Sequence, residues 1–289
     1  MIGKAEATGA VSIVNAIACG MGATVSVKLP TTARLELREQ RGSWDASLNG
    51  RKSESALVVQ TVGCAIRKLG RDPGRYSGSI QTTTSAPVGV GLKTSSSASV
   101  AVALATFSAF GRTTYRPREI LDCSVSASLS AGVSVTGALD DAASCLLGGV
   151  NFADNSNGRV LSTAALGRRL KVVIKVPEGR SRRGQADLKE VRKFSKMAES
   201  IFRIGRKGSV WKAMTLNGLL YSSIYRYHSS DALRALEVGA LGAGLSGTGP
   251  ALAAVFDENG RPDELAKEWK DSGAKVIMTE TSDEGATLG

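Results

Sequence analysis

The 289-residue chain is poor in the residues that most metal and nucleophile chemistry requires. Its one histidine, His228, argues against a zinc centre and against a Ser-His-Asp triad. Four cysteines, Cys19, Cys64, Cys123 and Cys145, are widely spaced and form no C-x-x-C pair. They read as reduced, mostly buried thiols of a cytoplasmic protein. Aromatics are only 5% of the chain, and none interleaves with a basic run as a base-stacking surface needs. The longest mainly apolar stretch, Ala98 to Phe110, is interrupted by Ser99, Thr106 and Ser108 and is too short to span a bilayer. The opening MIGKAEATGAV has no signal-peptide pattern. No G-x-x-x-x-G-K-[ST] motif occurs, which argues against a P-loop kinase, and no protein-kinase signature set is present.

What the chain does have is positive charge and glycine. The formal charge is +11, with local clusters at Arg180 to Arg183 and Arg203 to Lys207. Such a balance favours anionic partners. Without aromatic stacking residues, a phosphorylated nucleotide with an acidic small substrate fits better than nucleic acid. Hydrophobic residues make up 42%, enough for a core in one large domain or two smaller ones.

The most informative stretch is Pro87 to Ala105, PVGVGLKTSSSASVAVALA. Gly89 and Gly91 let the backbone turn and approach a ligand without a Cβ in the way. The hydroxyls Thr94, Ser95, Ser96 and Ser97 follow, and then small residues that suit a closely packed helix. A helix beginning just after such a loop aims free N–H groups and its positive dipole end at one point, which makes an anion site. Two further passages stand out. One is Gly137 to Ser144, followed by Gly148-Gly149; the other is Gly244 to Pro250.

Hydrophobic periodicity supplies the frame. Residues 2 to 19 read as an extended start. Ala23 to Leu29 and Ala33 to Arg38 read as two strands joined by a Pro30-Thr31-Thr32 turn. Ser55 to Leu69 and Pro117 to Ala131 predict helices, Tyr76 to Thr84 a strand, and Thr136 to Leu147 a loop entering a helix. A soft boundary falls in the polar stretch Asn151 to Arg159. Beyond it come a strand at Lys171 to Val176, helices at Leu188 to Ile204, Val210 to Tyr225 and Ser230 to Val238, and a glycine-rich loop at Gly242 to Pro250. A strand at Ala251 to Phe256, a helix at Asp263 to Asp271, a strand at Ala274 to Met278 and a frayed tail after Glu280 complete the chain. The second half therefore predicts helices on one face of a mainly antiparallel sheet.

Taken together, the three glycine-rich passages resemble the motifs of the GHMP small-molecule kinases. The superfamily's second motif reads roughly P-x-x-x-G-L-x-S-S-A-A, and Pro87, Gly91, Leu92, Lys93, Thr94, Ser95, Ser96 and Ser97 stand in that register. Asp141 lies upstream of Gly148-Gly149, as the superfamily's catalytic carboxylate lies upstream of a glycine pair. Ser246 to Pro250 is similar to the third motif, and Gly3-Lys4-Ala5 to the first. The passages GKAEATGAVSIVNA, PVGVGLKTSSSASVA, TGALDDAAS and LSGTGPA most resemble the archaeal-type shikimate kinases.

The resemblance implies an α+β, two-domain GHMP kinase fold without a P-loop. Its N-terminal half, 1–158, is ribosomal protein S5 domain 2-like, and its C-terminal half, 159–289, is a ferredoxin-like α/β sandwich. It implies ATP and Mg²⁺, and transfer of the γ-phosphoryl group to the 3-hydroxyl of shikimate in aromatic amino-acid biosynthesis. The carried-over catalytic residues are Asp141 and Lys4. The phosphate cradle is Pro87, Val88, Gly89, Val90, Gly91, Leu92, Lys93, Thr94, Ser95, Ser96 and Ser97, with Gly247, Thr248 and Gly249. Asn15, Asp140 and Ser246 are substrate candidates, and Ser95 and Asp140 are Mg²⁺ candidates. Arg183, Arg203 and Arg206 are candidates for the substrate carboxylate, because a guanidinium pairs with it bidentately.

The chain also departs from the superfamily pattern. Lys93 stands where many members have glycine, and Ser128 to Ala131 lacks the glutamate that several use for Mg²⁺. Alternatives are homoserine kinase or another GHMP kinase, and a non-enzymatic nucleotide or nucleic-acid binder. Against homoserine kinase, an asparagine is usual there at the position of Asp141.

Overall fold

The first strand alternates buried Gly3, Ala5 and Ala7 with exposed Ile2, Lys4 and Glu6, then becomes buried on both faces. That is the pattern of a strand whose second half is covered by another layer. In a computed structural model, which describes all residues except 51, 53, 54 and 179–186, it is β1 (Ile2–Val14). It runs antiparallel to β2 (Met21–Arg38). The strands β3 (Trp44–Leu48), β4 (Ser77–Thr84), β5 (Val150–Asp154) and β6 (Arg159–Ala164) complete the sheet's body. The order is β1-β2-β4-β3, with β5 and β6 extending from the other half of β2.

Pro30 to Thr32 is not the expected turn, because β2 passes straight through it. Along β2, Met21 to Val25 pair with β5, and Thr31 to Arg38 pair with β4. Pro30 sits between these segments, opposite a register slip in β1 between Ala7 and Gly9. A residue without an N–H is tolerated where the ladder is already interrupted.

Four helices cover one face of this sheet: α1 (Ser55–Lys68), α2 (Thr94–Ala109), α3 (Pro117–Ser130) and α4 (Leu139–Leu147). In α2 every residue except Ser95 and Ser108 is buried, as expected of a helix that is apolar all round. Its alanines lie against β1, where a Cβ on Gly3 would stand 1.9 Å from the Ala105 carbonyl oxygen.

The second half contains β7 (Lys171–Val176), α5 (Leu188–Arg192), α6 (Ser195–Arg206), α7 (Val210–Tyr225), α8 (Ser230–Glu237), β8 (Gly242–Leu245), β9 (Leu252–Phe256), α9 (Pro262–Asp271) and β10 (Lys275–Glu280). Its antiparallel sheet has the order β10-β7-β9-β8. Helices cover both of its faces, not one. Val172 and Ile174 pack with α6 and α7 against the buried ends of β1 and β2, while Val173 packs with α8 and α9. Double coverage is the physical reason that KVVIKV is apolar on both sides of the strand.

Three further expectations change. The helix read over Leu188 to Ile204 is two, α5 and α6, parted at Lys193 and Phe194. Gly242 to Gly244 belong to β8 rather than to a loop; they allow this strand to lie against α7, where a Cβ on Gly218 would meet Gly244 Cα at 2.3 Å. The tail is not frayed. Ser282 N–H donates to the Ser26 carbonyl, Ala286 N–H to that of Leu146, and Thr287–Leu288 form β11 on the edge of β1. The division expected after residue 158 falls inside the β5–β6 hairpin, both strands of which belong to the first sheet.

Candidate active site

The glycine-rich passages converge on one cleft of about 560 Å³ between the two halves. Two helices begin at its wall. The N-cap of α2 is Lys93, at φ 60°, and that of α4 is Ala138, at φ 54°. Both are left-handed, neither is glycine, and neither helix has a side-chain cap from its own N-cap residue. Non-glycine residues in this region cost about 1–2 kcal/mol each. The first N–H groups of a helix have no intrahelical partner, and its positive dipole end points the same way. Thr94, Ser95 and Ser96 of α2 and Asp140 and Asp141 of α4 line the cleft.

The first loop reaches the cleft with Gly89 and Gly91 and is fixed from below. The Ser246 hydroxyl donates to the Gly91 carbonyl at 2.8 Å and accepts from the Ser12 N–H at 3.2 Å. Gly91 itself is at φ 95°, and a Cβ there would stand 2.1 Å from the Ser246 carbonyl oxygen. Only glycine lets the first and third loops touch in this way. Asn15 completes the fastening. Its amide donates to the Gly247 carbonyl at 2.8 Å, its side-chain oxygen accepts from the Ile17 N–H, and its own N–H donates to Asn217. Asn15 and Ser246 therefore position the third loop.

The paired aspartates differ. Asp140 is buried, and a Cβ on Gly22 would meet its Oδ2 at 2.1 Å. Its Oδ1 accepts from Asn155 Nδ2 at 2.8 Å, while Asn155 Oδ1 accepts from the Asp140 N–H at 3.3 Å. Asn155, from the β5–β6 turn, thus holds the first turn of α4 in place of a cap. Burial, followed by the charge of Asp141, pushes Asp140 up to about 7. Asp141 is the reactive-looking member. Its Oδ1 lies 3.0 Å from Lys93 Nζ, with side-chain exposures of 14% and 10%. Among the described residues that oxygen has no hydrogen bond of good geometry.

Several sequence expectations need correction. Lys4 lies on the exposed face of β1, beside Gly289. Its neighbour Gly3 packs at Ala105, roughly 16 Å along α2 from Thr94 at 1.5 Å per residue. The lysine beside Asp141 is Lys93. Ser97 faces the sheet, with its hydroxyl 2.8 Å from that of Thr31. Leu92 is in the core, and Pro87, Val88, Val90 and Gly249 do not line the cleft. Asp140 borders the cleft, but its Oδ1 accepts from Asn155 and its side chain is buried beside Gly22, which sets it apart from Asp141. Arg203 and Arg206 are exposed and do not line the cleft; Arg183 and the rest of the Arg180 to Arg183 cluster lie outside the described residues. Gly247 and Thr248 do line it, as do Thr136, Val133, Val135 and Tyr225, which motif reading did not single out. Thr136 had a legible signal, since it opens the passage that enters α4. Tyr225 had none, because it ends a largely buried helix in which an aromatic residue reads as core.

A family profile described as "GHMP kinases N terminal domain" matches residues 56–149, and one described as "GHMP kinases C terminal" matches 197–275. A shikimate kinase of Methanocella arvoryzae is 38% identical over 283 residues, covering 98% of this chain and 94% of that protein. One from Methanothrix thermoacetophila is 35% identical, covering 100% and 97%. Among solved structures, the mevalonate kinase of Methanococcus jannaschii is similar with a TM-score of 0.76 at 14% identity, covering 97% of this chain and 98% of the other. A homoserine kinase from Cytophaga hutchinsonii gives 0.73 at 18% identity, covering 100% and 97%.

Proposed function

The chain belongs to the GHMP kinases, and from that premise we propose that it is a shikimate kinase, moving the γ-phosphoryl group of ATP to the 3-hydroxyl of shikimate. The supporting relatives carry that name and align along nearly the whole chain. The observation that carries the reading is the convergence of two helix N-termini and one carboxylate, Asp141, in a single cleft.

Phosphoryl transfer asks the protein mainly for positioning and charge compensation. Gly89, Gly91 and the N–H groups and hydroxyls at Thr94, Ser95 and Ser96 cradle the triphosphate, with the dipole of α2 behind them. Gly247 and Thr248 close the cradle from the third loop. The shikimate hydroxyl attacks the γ-phosphorus, its proton passes to the Asp141 carboxylate, and the bond from the γ-phosphorus to the β-bridging oxygen breaks as ADP leaves.

Mg²⁺ fits this cleft as an ion held chiefly by phosphates. Among the described residues no group of three His, Cys, Asp or Glu side chains forms a metal cage. The cleft offers hard oxygen donors, the Ser95 hydroxyl and the Asp141 carboxylate, which suit Mg²⁺ already bound to phosphate. When bound, the ion neutralises charge on the β- and γ-phosphates.

The test is a coupled assay for ADP with shikimate, homoserine and mevalonate as acceptors. Turnover confined to shikimate is expected. Preference for either of the others would overturn the acceptor, and ATP binding without turnover on any alcohol would overturn the enzyme.

A further inference from the structure

Lys93 is the chain's own departure from the glycine common at this motif position, and its surroundings are specific. Its backbone is held at φ 60°, a conformation that favours glycine over lysine. A residue kept in such a state is held there by what surrounds it, and these states gather at functional sites. Its side chain is nine-tenths buried, and its ammonium lies 3.0 Å from Asp141 Oδ1. A methyl group on Gly247 would stand 3.3 Å from the same nitrogen. One side chain therefore ties together all three motif passages: it starts on the α2 loop, ends at the α4 carboxylate and lies under the third loop. It is the sole cation among the described residues that line the cleft.

We infer that Lys93 is a catalytic residue, the ammonium that passes from Asp141 to the transferring phosphoryl group. Before ATP enters, the Lys93 charge is balanced by Asp141. When Asp141 takes the proton of the attacking hydroxyl, the carboxylate charge disappears. The ammonium is then released at the moment that negative charge gathers on the γ-phosphoryl oxygens and the departing β-oxygen. It stays protonated throughout, so no proton is created or lost. Stabilisation that grows as the reaction proceeds raises kcat rather than ground-state affinity. This inference rests on phosphoryl transfer in the cleft but not on which alcohol accepts the group.

The test compares Lys93→Met and Lys93→Arg with the parent, using whichever acceptor the parent turns over. Three quantities are read: kcat, the ATP dissociation constant by calorimetry, and Tm. Lys93→Met is expected to lower kcat about 10²–10³-fold, the loss seen when one preorganised charge-stabilising donor is removed. Its ATP affinity changes less than about fivefold. Lys93→Arg recovers part of kcat because it restores the charge at a slightly different reach. Retention of kcat within threefold in Lys93→Met overturns the inference. So does a parallel fall of ATP affinity and Tm in both variants, which marks a purely structural ion pair. A parent that binds ATP but phosphorylates no alcohol fails the kinase reading instead, and does so before any variant is made.

Discussion

The two helix starts at the cleft are built alike and charged oppositely. Both α2 and α4 begin at a left-handed, non-glycine N-cap, and neither is capped by that residue's side chain. The first turn of α2 holds Thr94, Ser95 and Ser96 and no acid, whereas that of α4 holds Asp140 and Asp141. A helix N-terminus favours a negative charge nearby. In α4 the chain supplies that charge itself; in α2 it supplies none, and the proposed cradle for the triphosphate begins there. The same local device thus yields a fixed carboxylate at one wall and the proposed triphosphate cradle at the other, with Lys93 joining the two.

The largest effect is expected at the carboxylate of α4. Asp141→Asn keeps the shape but removes the proton acceptor, and kcat is expected to fall about 10³-fold, within the 10²–10⁴ range of general-base losses. Steady-state turnover with ATP binding measured in parallel checks it; near-normal kcat would sink the role given to Asp141. The cradle end breaks at Gly91→Ala. The new Cβ meets the Ser246 carbonyl oxygen at 2.1 Å, so the first and third loops must part. A shift of that kind lowers kcat/KM for ATP by about 10²-fold. Ser95→Ala tests a single cradle hydroxyl and is expected to raise KM for ATP about tenfold, as for a hydrogen bond to a charged group.

Smaller effects on the two helix starts are expected in stability. The folded-state value of Asp140, about 7, lies above the 3.8 of the free carboxyl, so the folded chain holds that proton more tightly. Its contribution is fully present below 3.8 and is lost as pH rises through about 7. Asp140→Asn removes this decline. Relative to the parent, its unfolding free energy is expected to improve on the order of 2 kcal/mol between pH 5 and pH 8. Denaturant titrations at the two pH values measure it, and parallel pH trends in both proteins would contradict the burial argument. Ala138→Gly relieves the left-handed N-cap of α4 at some cost in chain entropy, for a net gain of about 0.5 kcal/mol seen as a slightly higher Tm. A loss of stability would show that the methyl group of Ala138 contributes packing instead.

Much of this frame was legible along the chain because it depends on local rules. The helical spacing of Val210 to Tyr225, the apolar strand at Lys171 and the loop-to-helix passages at Gly89 and Gly137 read correctly. The misreadings share one cause. Pro30 looks like a turn until a neighbouring strand absorbs the missing N–H, and Gly242 looks like loop until α7 lies against it. The tail looks free until β1 and α4 pair with it. In each case a distant partner decides, and local propensity carries no record of it.

The site divides along the same line. Local chemistry along the chain marks the proposed anion cradle and its carboxylate: glycine and hydroxyls ahead of one buried helix, aspartates at the start of another. These follow from backbone freedom, side-chain chemistry and the helix dipole, all of which act within a few residues. Which lysine meets Asp141 is set by folding alone. Lys4 and Lys93 carry the same charge, but Lys4 is spent on an exposed strand face while Lys93 is buried between three loops. Folding also separated Asp140, packed on Gly22 and Asn155, from Asp141 beside the cation. Pairing energies of charges depend on distance and burial, and those quantities exist only once the chain has folded.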